Sequence, residues 1–312
     1  TPTAVDATVD FAINDTSAGS ISPTETQTER SVNVDTGNTV LDTVPPPTLQ
    51  EGRVRVRTAA SLISAGTEKM LIDLAQKSML GKATARPDLV KKVLNKVRTE
   101  GLWTTWQKVQ SKMEKPMPLG YSAAGIVEEV GDGVRGLQVG DRVAMAGAGY
   151  ANHAEVNVVP KNLLAEVPDG VAFEEAAYAT VGSIALQGVR LAEPQLGEQV
   201  AVVGLGLIGL LTVQLLKANG CRVVGTDLDP EKVALANELG LDRGVVASEA
   251  DPVSSINNFT GGRGADHTLI TAATSSNEPI EQAGEMTRRK GDVVVVGKVG
   301  MDIPRDAYYH KE

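Results

Sequence analysis

Three glycines in the stretch "VAVVGLGLIGLL" have a spacing that can bind phosphate, namely Gly204, Gly206 and Gly209. The pattern GxGxxG is weak alone, but here a buried-strand pattern precedes it and a helical segment follows it, ended by Gly220. The first glycine then permits a tight turn, the second lets the backbone approach a pyrophosphate, and the third lets helix and strand pack closely. The stretch predicts that phosphates bind free N–H groups at the positive end of this helix.

A carboxylate follows at the interval that a dinucleotide site uses. The next strand, "CRVVGTD", ends on Asp227, eighteen residues after Gly209, where a carboxylate can bind the adenosine ribose hydroxyls. The alternative is that Asp227 is only a turn residue, with Asp229 and Pro230 capping the next helix. Against a 2′-phosphate, Asp227 would add like-charge repulsion of about several kcal/mol, and no arginine follows at once to offset it. The sequence therefore favours NAD over NADP.

Short valine-rich strands alternate with helical segments after residue 168, which is typical of a parallel sheet covered on both faces. We therefore predict an α/β fold with a doubly wound, Rossmann-type sheet at residues 169–312. Such sheets usually have six strands, so the chain is expected to end before the last strand and to be a fragment of a longer protein. The five predicted strands are "QVAVVG", "CRVVGTD", "RGVVAS", "DHTLITAA" and "GDVVVVG".

The first part of the chain is predicted to be β-rich. Residues 1–29 are rich in Thr, Ser and Asp without periodicity, and we interpret them as a poorly ordered extension. A domain at 30–168 follows, starting with a hairpin in which "SVNVD" and "TVLDTV" flank "TGN". "RVRVRTAA" then alternates charged and apolar residues, as a half-exposed strand does.

A basic helical insertion is predicted at residues 82–115, with nine Lys or Arg against three acidic residues and with both tryptophans of the chain. Two apolar stripes at helical spacing indicate two helices. They could form a solvated hairpin packed on the body of the protein, a lid or subunit contact, or an attachment to an anionic membrane surface.

Composition excludes several classes of protein. At 312 residues with 42% hydrophobic content, the chain is long enough for two globular domains, and its net charge of −9 argues against nucleic-acid binding. The single cysteine, Cys221, rules out an internal disulfide and indicates a reducing compartment, which we take to be the cytoplasm. The first 29 residues do not resemble a signal peptide. The longest uncharged stretch, 199–216, is slightly short of the roughly 20 apolar residues that a membrane span requires.

Four stretches in the same order resemble the medium-chain dehydrogenase/reductase family: "GIVEEVGDGVRGLQVGDRVA", "GYANHAEVNVVP", "PDGVAFEEAA" and the glycine pattern. The resemblance implies a GroES-like β-rich catalytic domain, a Rossmann domain, an active site in the cleft between them and a small-molecule substrate. The family commonly forms dimers or tetramers, so a homo-oligomer is an open expectation. The insertion and "SLISAGTEKM" resemble bacterial two-domain oxidoreductases, which carry a further sugar-oxidoreductase-like domain downstream.

The resemblance completes the predicted cofactor site. It suggests that Lys232 reaches the same ribose as Asp227. "ITAAT" and "VGKVG" follow the fourth and fifth strands, and the carboxyl ends of such strands line the ligand crevice, here on the nicotinamide side. The predicted cofactor-binding residues are Gly204, Gly206, Leu207, Ile208, Gly209, Asp227, Lys232, Thr271, Ala272 and Gly297.

Many members of this family use a catalytic zinc, which needs three thiolate, imidazole or carboxylate ligands from the protein. Where the family usually has Cys-Gly-Thr-Asp, this chain has Ala65-Gly66-Thr67-Glu68, and where it usually has Gly-His-Glu, this chain has Gly120-Tyr121-Ser122. The third region, "AYATVGSIA", offers only hydroxyls, and one cysteine cannot form the four-cysteine structural site. The histidines His153, His267 and His310 show no ligand spacing and are interpreted as ordinary loop or surface residues. We expect no zinc.

Without a metal, another group must stabilise the negative charge that develops on the substrate oxygen. The candidates are Tyr121 and Thr67, which stand at or beside the positions that the resemblance assigns to metal ligands. A phenol keeps its proton at neutral pH and can donate it to a carbonyl oxygen. The alternative is that Tyr121 only fills the volume of the metal site and hydrogen-bonds Ser122 or the backbone.

The sequence thus predicts an NAD(H)-dependent, zinc-independent oxidoreductase that transfers a hydride between nicotinamide and a carbonyl, alcohol or activated alkene. Two alternatives stay open. One is a catalytically inactive protein that binds the dinucleotide and docks through its basic helices. The other is a zinc alcohol dehydrogenase with unorthodox ligands.

Overall fold

The computed structural model describes residues 8–10, 27–32, 38–76, 117–309 and 311. The chain divides into two compact units, Thr1–Thr180 and Val181–Glu312. The predicted insertion at 82–115 lies outside the described residues, as does most of the predicted extension at 1–29 and His310.

The first unit is β-rich, as predicted, and is organised around its longest strand, β4. Inward and outward residues alternate along the first part of β4, so Val54 and Val56 are fully buried. The described residues of this unit also form two helices, α1 and α2, and a 3-10 turn at Lys161–Leu163. The bounds are β1 Thr8–Asp10, β2 Gln27–Val32, β3 Thr39–Val44, β4 Arg53–Leu62, α1 Ala65–Gln76, β5 Met117–Pro118, β6 Ser122–Val130, β7 Arg142–Ala146, β8 Val156–Pro160, β9 Leu164–Glu166 and α2 Phe173–Ala176.

These strands form two antiparallel sheets. In the larger sheet the order is β1-β4-β6-β7-β9, with β8 also paired to β4, and in the smaller it is β3-β2-β5. The hydrophobic core of this unit comes from the inward faces of β4, β6, β7 and β8 and includes Val54, Ala123, Val127, Val143, Met145 and Val159. The strand β4, which leads into α1, and the strand β6, which directly follows Tyr121, both contribute to this core.

The strands at the amino-terminal end include the predicted hairpin and one strand that was not predicted. The hairpin is present, with β2 and β3 antiparallel and Val32 opposite Thr39. The strand β1 lies within the predicted extension and pairs with β4, Thr8 opposite Leu62. Backbone pairing gives order here that the polar composition of residues 1–29 did not indicate.

The second unit is a doubly wound parallel sheet in the order β12-β11-β10-β13-β14. All five predicted strands are present and every neighbouring pair is parallel. The bounds are α3 Ala179–Ala192, β10 Gln199–Val203, α4 Leu207–Ala218, β11 Arg222–Asp227, α5 Pro230–Glu238, β12 Arg243–Val246, α6 Pro252–Phe259, β13 Ala265–Ile270, α7 Glu278–Met286, β14 Thr287–Val295 and α8 Arg305–Tyr309.

Each face of this sheet has its own core, which explains the continuous valine runs. Val200 and Val202 of β10 pack with Val213 and Leu216 of α4 on one face. On the other face, Ala201 and Val203 pack in a core that also contains Ile256, Ile280 and Met286 of α6 and α7. Because successive side chains point to opposite faces, a strand covered on both sides must be apolar at every position.

The boundary between the units lies later than the predicted residue 168. The chain after that residue is held by the first unit, since Arg142 donates to the Val171 carbonyl and Ser122 Oγ donates to the Ala177 carbonyl at 2.5 Å. Thr180 Oγ1 also donates to the Met145 carbonyl at 3.3 Å. The sequence pattern therefore changes to alternating strands and helices before the chain leaves the first unit.

The longest uncharged stretch does not form one helix. Its residues make up β10, the glycine turn and most of α4. Within the described ranges, no helix has the length and apolar character needed to cross a membrane.

Candidate functional site

The glycine turn joins β10 to α4 at the carboxyl edge of the parallel sheet. Gly204 has φ of 95°, in the left-handed region, and its N–H donates to the Thr226 carbonyl at 2.8 Å. A Cβ at Gly204 would lie 2.7 Å from Ala272 Cα. Both the backbone conformation and the close approach of the segment that follows β13 therefore require glycine here.

Gly206 and Gly209 differ in what surrounds them. A Cβ at Gly209 would overlap the Gly204 carbonyl oxygen, so this glycine lets α4 pack on the turn. Gly206 is exposed, and a Cβ there would meet no atom within 4 Å. The space beside Gly206 is thus open for a ligand to reach the backbone, as the predicted role of the second glycine requires.

The amino end of α4 fits an anion. Gly206 is the N-cap residue, and no side chain of the described residues caps this end of the helix. The first N–H groups of a helix have no partner within the helix and carry the positive end of its dipole. Leu207 and Ile208 are the first two residues of α4 and are only half-buried. Together with the open space at Gly206, these features fit the pyrophosphate of a dinucleotide.

Asp227 is the last residue of β11, and its carboxylate is tied to the glycine turn. Oδ2 accepts the Leu205 N–H at 2.8 Å, and Oδ1 accepts the Asp229 N–H at 3.0 Å. Lys232 Nζ lies 3.7 Å from Asp227 Oδ1 and equally far from Asp229 Oδ2. Asp229 caps α5 by accepting the Glu231 N–H at 3.0 Å, so the helix capping in the alternative interpretation of Asp227 is present.

Thr271, Ala272 and Gly297 lie beside the same turn. Thr271 Oγ1 donates to the Gly204 carbonyl at 2.5 Å, and the N–H groups of Thr271 and Ala272 both donate to the Val203 carbonyl, at 2.9 and 3.0 Å. A Cβ at Gly297 would overlap the Ala272 carbonyl oxygen. The structure thus brings all the predicted cofactor residues to the carboxyl ends of β10, β11, β13 and β14 or to the helices that follow β10 and β11.

The first unit carries the other two predicted residues. Thr67 lies in the first turn of α1, where Ser64 Oγ donates to Thr67 Oγ1 at 3.4 Å. Tyr121 is half-buried and directly precedes β6. Its backbone carbonyl accepts the Gly147 N–H at 2.9 Å, whereas no described residue is hydrogen-bonded to its hydroxyl. Ser122 is buried and its hydroxyl donates to the Ala177 carbonyl, and no hydrogen bond joins it to the Tyr121 hydroxyl.

The donors in this region do not fit a catalytic zinc. The side chains at the positions that resemble metal-ligand positions are Ala65, Tyr121 and hydroxyl residues, which are not the ligands zinc prefers. Glu68 and His153 are near each other, but they are two groups and are bonded to one another at 3.0 Å. Among the described residues, no group of three or more His, Cys, Asp or Glu could hold a metal ion.

Two histidines that the sequence suggested to be loop or surface residues are buried. His153 has no exposed surface, and His267 is only 6% exposed. His267 lies between two carboxylates, Glu198 at 2.9 Å and Asp292 at 3.1 Å. An imidazole can be buried when both ring nitrogens have partners, and these partners were too distant in sequence to be recognised. The neighbouring residues in "YANHAEV" gave no short-range signal that His153 is buried.

A dinucleotide-binding edge on a doubly wound sheet, preceded by a β-rich unit, defines a class of two-domain dehydrogenase folds, and comparisons with known proteins agree. The family described as zinc-binding dehydrogenase matches residues 208–310, and the alcohol dehydrogenase GroES-like domain matches residues 91–179. An alcohol dehydrogenase from Geobacillus stearothermophilus is 30% identical over 221 residues, which cover 62% of this chain and 64% of that protein. The chain thus spans somewhat less than two thirds of the length of this relative.

Two solved structures share the fold. One is 2R,3R-butanediol dehydrogenase from Bacillus subtilis, with 23% identity and a TM-score of 0.68 over 92% of this chain and 82% of that chain. The other is described as a zinc-binding dehydrogenase from Sinorhizobium meliloti 1021 bound to NADP, with 21% identity and a TM-score of 0.66 over 89% and 79%. The chain belongs to the medium-chain dehydrogenase/reductase family.

Proposed function

We propose that the chain is an NAD(H)-dependent, zinc-independent oxidoreductase, which transfers a hydride between nicotinamide and a carbonyl, alcohol or activated alkene. The observation that carries the proposal is the open backbone at Gly206, next to an uncapped helix and to the Asp227 carboxylate. Family membership supports a dehydrogenase or reductase reaction. When bound, the nicotinamide supplies the hydride chemistry, and the protein supplies position and electrostatics.

The second unit would hold the cofactor at three points. The N–H groups at the start of α4 would bind the pyrophosphate, and Asp227 would accept the ribose hydroxyls. Lys232, whose ammonium lies 3.7 Å from Asp227, would bind the same ribose. Thr271, Ala272 and Gly297 would line the nicotinamide side of the edge.

NAD is the proposed cofactor rather than NADP. A carboxylate that is 13% exposed at the end of β11 would face the 2′-phosphate of NADP and repel it. Lys232 partly offsets this charge, and one structural neighbour binds NADP, so the preference rests on Asp227 and is open to direct measurement.

The first unit would supply the hydrogen bonds that a metal supplies in other members of the family. The Tyr121 hydroxyl is not engaged by any described residue, and a phenol can donate a proton to an oxygen on which negative charge develops. Thr67 would donate a second hydrogen bond while it accepts one from Ser64. The residue types Ala65 and Tyr121, at positions that resemble ligand positions, are the support for zinc independence, because zinc prefers thiolate, imidazole or carboxylate ligands.

Three measurements test the proposal. Purified protein should oxidise NADH against at least one member of a panel of quinones, enones and aldehydes, and no turnover with any of them would favour an inactive dinucleotide-binding protein.

Tyr121→Phe should lower turnover at least about tenfold, since general acid catalysis contributes roughly 10² to 10⁴, while NADH affinity holds. Elemental analysis should find no stoichiometric zinc; one zinc per chain would indicate unorthodox ligands instead.

Cellular setting and assembly are part of the same proposal. The one cysteine is buried and free, and a chain without an internal disulfide fits a reducing compartment such as the cytoplasm. A homo-oligomer and a downstream oxidoreductase domain in the natural protein are proposed by resemblance alone. Light scattering on the purified chain and the length of the natural reading frame test them separately.

A further inference from the structure

His153 joins β4 and α1 through both of its ring nitrogens. Nδ1 lies 2.8 Å from Ser61 Oγ at the end of β4, and Nε2 lies 3.0 Å from Glu68 Oε1 in the first turn of α1. His153 and Ser61 are fully buried and Glu68 is 4% exposed. With both nitrogens bonded, the ring has one orientation, and any displacement would leave a buried polar group without a partner.

Glu68 is also hydrogen-bonded to Ser64, the residue that contacts Thr67. Its Oε1 also accepts the Ser64 N–H at 3.0 Å, and its own N–H donates to the Ser64 carbonyl at 2.9 Å. Ser64 is the residue whose hydroxyl donates to Thr67. The Ser64–Glu68 pair therefore encloses Thr67, and His153 holds the carboxylate end of that pair.

The backbone of His153 contacts the segment that leads to Tyr121. Its N–H donates to the Leu119 carbonyl at 2.8 Å. Gly120, with φ of 96°, packs so closely that a Cβ there would lie 2.7 Å from His153 N and 3.0 Å from Nδ1. Tyr121 follows at once, so the imidazole lies against the turn that determines where the phenol begins.

We infer that His153 is a positioning residue for the proposed reaction, which fixes Thr67 through Glu68 and Tyr121 through Leu119 and Gly120. The inference rests on the proposed function of the two hydroxyl groups. Replacing a buried hydrogen-bonded pair by apolar groups of the same shape can leave stability nearly unchanged, so stability alone is a weak reason for this arrangement. Precise placement is a stronger one, because a shift of about 1 Å in a reacting group can reduce turnover roughly a hundredfold.

The first test compares His153→Gln with His267→Gln. Each removes a buried histidine that contacts a carboxylate at about 3 Å, one in each unit. If His153 positions the hydroxyls, its variant should lose turnover about tenfold or more with an unchanged Kd for NADH, whereas His267→Gln should keep its turnover. Folded His153→Gln with the turnover of the parent protein would overturn the inference.

Glu68→Ala is the second variant, and it tests the inference if His153→Gln does not fold. It removes the carboxylate oxygen that contacts both His153 Nε2 and the Ser64 N–H. We expect the same loss of turnover with retained NADH binding, and unchanged turnover in this folded variant would overturn the inference.

A double-mutant cycle separates positioning from a general structural effect. In the Tyr121→Phe/Thr67→Val background there are no hydroxyls to position, so adding His153→Gln, or Glu68→Ala where the former does not fold, should lower the remaining turnover by less than about twofold. A reduction as large as in the parent background would overturn the inference. If Tyr121→Phe and Thr67→Val themselves leave turnover unchanged, the proposed roles of the hydroxyls fail and the inference fails with them; if they lower turnover and the His153 and Glu68 variants do not, the inference alone fails.

Discussion

Leu205 donates its backbone N–H to Asp227 Oδ2 across 2.8 Å, so the carboxylate at the end of β11 is bonded to the centre of the glycine turn. Oδ1 is bonded to the next turn through the Asp229 N–H at 3.0 Å. One side chain thus fixes two loops at the edge where the cofactor is proposed to bind. The proposed recognition of the ribose and the shape of the glycine turn therefore depend on the same carboxylate.

Replacing Asp227 with asparagine should change cofactor preference. The amide oxygen can still accept the Leu205 N–H, but the charge that binds ribose hydroxyls and repels a 2′-phosphate is lost. A hydrogen bond to a charged group contributes about 1.5–3 kcal/mol, so NADH affinity should fall roughly tenfold to a hundredfold while NADPH affinity falls less. Fluorescence titration with both nucleotides measures the ratio.

Asp242→Asn is the matched control for this experiment. Asp242 also accepts a backbone N–H, from Val223 at 2.6 Å, but at the amino end of β11. Its removal should leave the ratio of the two affinities as it was. If Asp227→Asn also leaves that ratio unchanged, Asp227 does not select the cofactor.

The three glycines should respond differently to alanine. Gly206→Ala places a methyl group in open space, so the melting temperature should hold while NADH affinity falls at least about tenfold, because the methyl group blocks the pyrophosphate. Gly209→Ala and Gly204→Ala place it against backbone atoms and should destabilise the fold. Calorimetry and NADH titration on all three variants test this, and full NADH affinity in Gly206→Ala would contradict the proposed phosphate position.

Ser122→Ala should affect stability rather than turnover. The buried hydroxyl donates to the Ala177 carbonyl, and its loss leaves that carbonyl without this donor, at about 1–3 kcal/mol. Denaturant unfolding and steady-state kinetics separate the two effects. Turnover that falls as far as in Tyr121→Phe would mean that Ser122 has a role in the reaction that its hydrogen bond does not reveal.

Asp242 should make stability depend on acidity. Burial raises the pKa of this carboxyl, but the hydrogen bonds from Lys217 and the Val223 N–H and the charge of Lys217 outweigh it, so the pKa is lowered overall. As the pH falls, the carboxyl of Asp242 takes up a proton in the unfolded chain before it does so in the folded chain. The ionised carboxylate therefore stabilises the fold fully above the ordinary pKa of about 4, and this stabilisation is lost as the pH falls through the lowered pKa of the folded chain.

Asp242→Asn should therefore be less stable than the parent protein at pH 7, and the difference should shrink as the pH falls below about 4. Denaturant midpoints by circular dichroism at several pH values measure it. Asp266, whose pKa is lowered despite burial by the Gln199 N–H and by Arg288, should behave in the same direction. A difference that stays constant with pH would contradict the assignment.

The sheet of the second unit could be predicted because its signal is local. Residues 200–203 of the central strand β10 are covered on both faces and are all apolar, and the proposed roles of Gly204, Gly206 and Gly209 follow from short spacing. The strand β1 could not be predicted, since three residues give no period and its pairing with β4 is long-range. The boundary between units could not either, because it depends on which unit binds the Ala177 carbonyl.

His153 marks the limit of sequence reasoning at the site. Its partners Glu68 and Ser61 are 85 and 92 residues away along the chain, and nothing local indicates which way a histidine in a loop between strands will face. Thr67 and Tyr121 could be selected by resemblance, but the group that lies against both of their segments could be found only from the folded chain.

Helix α3 runs across the division between the two units, and this decides where the units could be exchanged with those of a relative. A junction at Thr180–Val181 would cut the first turn of α3. A junction at residue 168 would take the Ala177 carbonyl, which accepts from Ser122, from a different parent protein than Ser122 itself. Joining at Tyr178–Ala179 keeps the Ala177 carbonyl with the first unit and α3 whole in the second, and gives up the Thr180 bond to Met145. A chimaera is thus best joined at the peptide bond between Tyr178 and Ala179, which lies between α2 and α3.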